Sequence, residues 1–137
     1  MKTSFIVFLS SFIFLLGCTK KNDLYFQNGT YTVDIVLNYG IDSTKVIHSN
    51  HFVGSMNWKE GFTFYNLIDS NFVEVFINKN EPILHLSINN INDWQYSGAQ
   101  CNMKNMQEEK NFLECSFDTL ISTNSLFSNG TISIKKN

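Results

Sequence analysis

"TYTVDIVLN", residues 30–38, decides the fold class. Tyr31, Val33, Ile35 and Leu37 alternate there with Thr32, Asp34, Val36 and Asn38. A period of two marks a strand with one buried face, because successive side chains on a strand point to opposite sides. The alternation recurs downstream. In "HFVGSMNW" (51–58), Phe52, Gly54, Met56 and Trp58 stand against His51, Val53, Ser55 and Asn57. "FVEVFIN" (72–78), "ILHLSI" (83–88), "FLECSFDTLI" (112–121) and "GTISIKK" (130–136) repeat it. No window of twelve residues carries a helical stripe.

Turn chemistry separates these runs. Lys59-Glu60-Gly61 ends in the glycine that a three-residue hairpin loop favours, and Asp69-Ser70-Asn71 is a second turn signal. Lys79-Asn80-Glu81-Pro82 holds the only proline, at a place where a turn tolerates it. Eight strands are predicted, over 30–38, 44–57, 61–68, 72–78, 83–88, 94–103, 111–121 and 130–136. Every connection is short enough for antiparallel neighbours. The expected domain is an all-β single antiparallel meander spanning 28–137, closed as a barrel or open as a sandwich. An eight-strand barrel just holds side chains or one small ligand.

The N-terminus reads differently. Lys2 precedes an apolar run, Phe5–Leu16, interrupted only by Ser10 and Ser11. That run suits a signal-peptide core and falls short of the roughly 20 residues a spanning helix needs. It ends in Leu15-Leu16-Gly17-Cys18, which resembles the lipobox of bacterial lipoproteins: Leu at −3, a small residue at −1, Cys at +1. The resemblance implies that residues 1–17 are removed and that the Cys18 thiol is acylated. Two or more acyl chains (palmitate among them) would then hold the protein firmly to a membrane. Residues 18–27 become a lipidated N-terminus and tether, reaching at most about 30 Å when extended. Outer-membrane attachment is expected, in a Gram-negative host. The meander opening on "NGTYT" (28–32) is similar to small lipocalin-like lipoproteins of Bacteroidetes-type bacteria, which implies a calycin-like barrel.

After removal of 1–17, nine lysines face twelve acidic side chains and there is no arginine, leaving a net charge of −3. That balance lacks the basic stripe of a nucleic-acid binder. Without Arg the chain also lacks the usual bidentate clamp for phosphate and carboxylate.

Catalytic and metal motifs are missing from the sequence, which has no G-x-S-x-G, P-loop, H-E-x-x-H or C-x-x-C. His48 and His51, three apart on a strand, are expected on opposite faces, unable to chelate together. The expectation is therefore no enzyme, no metal and no cofactor. Two cysteines remain once Cys18 is acylated. Outside the cytoplasm, such a pair oxidises. Centring the β-hairpin on Glu108, in the polar "NMQEEK" (105–110), sets Cys101 opposite Cys115 and predicts a disulfide between them. The same register turns Trp94 and Tyr96 outward as a contact surface.

Two functions follow. One is a lipid-anchored binding protein taking a small apolar ligand. The other is an inhibitor or protein-interaction module that works through its outer face. An open cavity would favour the first and a filled interior the second.

Overall fold

Eight antiparallel strands follow one another around a closed barrel, and the last returns to pair with the first. They are β1 (Gly29–Tyr39), β2 (Ser43–Asn57), β3 (Gly61–Ile68), β4 (Asn71–Asn78), β5 (Ile83–Asn90), β6 (Gln95–Glu109), β7 (Phe112–Thr123) and β8 (Asn129–Lys136). The computed structural model describes residues 26–39, 43–57, 61–78, 80–92, 95–123 and 127–137. Of the two architectures the alternation allows, the chain adopts the barrel. Closure leaves the first and last strands no free edge, which an open sandwich would have to protect.

β1 shows why. Tyr31, Val33, Ile35 and Leu37 are fully buried, while Thr32, Asp34, Val36 and Asn38 are only partly covered. Slipping the register by one residue would turn that whole set to water, at about 1.5–3 kcal/mol for each large side chain. The same face logic puts Phe62 and Phe64 of β3, Val73, Val75 and Ile77 of β4, and Leu84 and Leu86 of β5 inside. Among the described residues no polar or charged side chain is buried. Gly54 makes room for this filling: a Cβ there would lie 2.6 Å from the Tyr31 ring.

Two hairpins turn on left-handed residues. Ile68 pairs with Asn71 across Asp69 and Ser70, whose φ values are 46° and 65°. Positive φ at both central positions is the geometry whose twist matches paired strands. Glu109 pairs with Phe112 across Lys110 and Asn111, and Asn111 has φ 59°. Asn tolerates that region better than most residues.

The β6–β7 register corrects the sequence reading. The hairpin turns at Lys110–Asn111, not at Glu108, so Cys101 faces Thr119 instead of Cys115. Cys115 lies four positions from Thr119 along β7, roughly 13 Å of strand, well beyond the 4.4–6.8 Å between the Cα atoms of a disulfide. Both thiols are buried and free. The predicted faces hold all the same: Ala99, Cys101, Met103, Leu113, Cys115 and Phe117 all point inward.

Candidate functional site

The two ends of the barrel differ. At the lower end the chain enters at Phe26 and finishes at Asn137. Phe26 is 1% exposed and stands edge-on to Tyr31, Phe62 and Phe64, with ring centroids 5.8, 5.2 and 4.9 Å away. Edge-to-face packing at such distances adds to the gain from burial. Around this stopper runs a polar clasp. The Tyr31 hydroxyl donates to the Gln27 carbonyl at 2.5 Å, and the Gln27 amide donates to Asn111 Oδ1 at 2.8 Å. Lys136 Nζ donates to Gln27 Oε1 at 3.1 Å. Burial pushes the Tyr31 phenol up, opposed by its bond to the Gln27 backbone.

At the upper end the wall parts. β2 pairs with β1 from Ser43 to Gly54, but its ladder with β3 runs only from Asn57–Gly61 to Val53–Tyr65. Above that point β3 pairs with β4 alone. The cause is a bulge in β2. Tyr31 faces Phe52 while Val33 faces Ser49, so β2 carries one extra residue between them. A bulge bends its strand and reverses the alternation beyond it. Phe52 and Ile47 are accordingly both buried, and His48 and His51 are both exposed. The expectation that the two histidines face opposite sides therefore fails. Ser49 and Asn66 bridge the foot of the gap through a 2.6 Å side-chain hydrogen bond.

Above this bridge lies a cleft of about 290 Å³. Ile47, Ile68, Val73 and Ile88 form its apolar floor, and Lys45, Val46, His48, Asp69 and Asn71 its rim. Its volume is at the low end for small-molecule sites. His48 Nδ1 is bound to the Asp34 carboxylate. Lys45 shares the inward face with Ile47 at the mouth, opposite Leu37, and has no ion-pair partner among the described residues.

The outer wall beside the cleft is apolar. Val46 is 64% exposed and Leu67 58%, one on each lip. Below them Val53 pairs with Tyr65, and Phe72 stacks on Tyr65 with centroids 6.2 Å apart.

Cys18 and Trp94 lie outside the described residues, as does the side chain of Tyr96, whose backbone pairs with Asn89. Cys101 and Cys115 sit in the filled core. Burial raises Cys101 to about 11, against a bond from Thr119. Burial likewise raises Cys115 to about 12, with smaller contributions from Cys101, Glu108 and Glu114. Thiols held neutral in this way are poor nucleophiles. No three His, Cys, Asp or Glu side chains among the described residues gather in metal-binding geometry.

Sequence reasoning missed the cleft. Its trace is the adjacent pair Val46-Ile47 in "TKVIHSN" (44–50), through which the alternation of the 52–56 run cannot be extended. The chain matches no family model, no curated protein and no solved structure.

Proposed function

We propose that this barrel is a lipid-anchored, extracytoplasmic binding module with a non-catalytic role, attached through Cys18 to the outer membrane. The observation that carries the reading is the placement of the cleft. It opens at the upper end, whereas the chain enters at the lower end through Phe26. A tether from Cys18 would hold the stoppered end toward the lipid and present the cleft to the aqueous side. An apolar floor beneath a short polar rim suits a partner that buries one apolar group.

Native mass spectrometry of the full chain extracted in detergent tests both halves of this reading. Acylated mass and a retained adduct are the expected result, with Ile68→Trp in the floor expelling the adduct. Cys18→Ala should leave an uncut, unacylated precursor; unchanged acylation in that variant would remove the anchor from the proposal. A second reading, a protein-interaction module using the outer wall, is favoured by the filled interior and by exposed Val53, Tyr65 and Leu67.

A further inference from the structure

The upper half of β2 is an unpaired sheet edge lying directly over the cleft. On a strand the side-chain face and the lateral direction of the backbone groups alternate together. Met56, on the inward face with Phe52 and Gly54, donates its amide toward Asn28 on the β1 side. Inward residues of β2 therefore serve β1, and outward residues serve the β3 side. Thr44, Val46 and His48 face outward, so their N–H and C=O groups point across the gap, where β3 does not pair. On the opposite lip the Leu67 amide, aimed back at β2, is capped by its neighbour Asn66 Oδ1 at 2.8 Å. The Leu67 donor on one lip is thus capped, and the Thr44, Val46 and His48 donors on the other face the gap.

We propose that the cleft's occupant is an extended polypeptide segment of a partner protein, added as a strand to the β2 edge at Thr44–His48. This inference rests on the binding reading above and names the partner class for that site. Main-chain bonds to an edge supply affinity, and pockets for alternate side chains supply specificity. Two positions specify the partner. A residue opposite Ile47 enters the apolar floor, and a residue opposite Lys45, two positions along on the same face, meets an unpaired ammonium. Opposite charges on facing strand positions attract. The recognised pattern is apolar-x-acidic. A fatty acid would satisfy the floor and Lys45 but leave the edge donors unmet.

The test uses the full chain in detergent micelles and capped heptapeptides carrying Ile-Thr-Asp, or the reverse order, between serines and threonines. Amide NMR follows Val46 and His48. Binding of one peptide order with shifts and slowed exchange at those amides is the expected result. N-methylation of alternate peptide nitrogens should then weaken it about tenfold, and Lys45→Glu should weaken it while leaving the spectrum folded. Equal binding of the N-methylated peptide would overturn strand addition. Decanoate binding at the floor, with neither peptide bound at about 1 mM, would also overturn it, yet leave the cleft a binding site. If neither probe binds, the inference and the cleft reading fall together.

Discussion

The lower end of the barrel is held by a ring and hydrogen bonds, and the upper end opens where its own ladder stops. At the lower end Phe26 fills the bore and Gln27, Tyr31, Asn111 and Lys136 lock it with side-chain bonds drawn from four places in the chain. At the upper end one extra residue in β2 ends its pairing with β3, which runs only from Asn57–Gly61 to Val53–Tyr65. The contrast separates what stabilises from what is free to recognise. Regions with few buried contacts and unpaired backbone are the ones that open at low cost, and binding surfaces are drawn from them.

The largest effect should come from the stopper. Phe26→Ala removes a fully buried ring from three edge-on neighbours and should destabilise the fold by about 3–5 kcal/mol, read as a fall in the urea midpoint. A loss below about 1 kcal/mol would mean that the lower end is no better closed than the upper.

Next is the middle of the bore. The Cys101 and Cys115 thiols are raised from 9.0 to about 11 and about 12. The folded state therefore keeps these protons at pH values where the unfolded chain has lost them. The stability they contribute is complete below pH 9 and is lost as pH climbs toward 11 and 12, at about 1.4 kcal/mol per unit for each thiol. Buried Tyr31 and half-buried Tyr39, also raised, steepen the same limb. Urea midpoints should hold steady to about pH 8.5 and then fall. Replacing both cysteines by Ala should flatten the first part of that fall. Thiol counting on denatured, unreduced protein should find Cys101 and Cys115 both free; a bridge would require the hairpin centred on Glu108 that β6 and β7 do not form.

That hairpin shows where sequence reading stops. β1 was legible because its alternation is strict and each inward residue is apolar. The faces of β6 and β7 were legible for the same reason. Their register was not. Polarity points to Glu108 as the turn, but Asn111 accepts the left-handed geometry and draws the turn two residues on. Two irregularities then shift the pairing, one beside Asn105, at φ 52°, and one opposite Gln100–Cys101. A bulge changes a count of residues, not a composition, so it leaves little trace in the sequence. The β2 bulge hid the cleft in the same way, and with it Lys45 and Ile47. Trp94 and the Tyr96 side chain, the contact surface read from that hairpin, lie outside the described residues.

Asn111 sharpens the comparison with a smaller effect. It supplies both the turn's left-handed residue and the acceptor for Gln27. Asn111→Ala should cost about 1–3 kcal/mol through the unmet amide and the strained φ. Asn111→Gly keeps the φ and removes only the bonds, so it should cost less. If the two variants unfold alike, backbone conformation contributes little to the clasp.

The smallest effect belongs to the open lip. Leu67 is 58% exposed on the outer face of β3, and its amide is satisfied by Asn66, not by a strand. Nothing of its side chain is needed to close the bore, so Leu67→Ser should change stability by less than about 0.5 kcal/mol. The same substitution removes an exposed apolar group from the β3 lip, and should weaken any partner seated there while leaving the urea midpoint in place. A stability loss as large as that of Asn111→Ala would show that the two lips pack against each other, and the upper end would then be as closed as the lower.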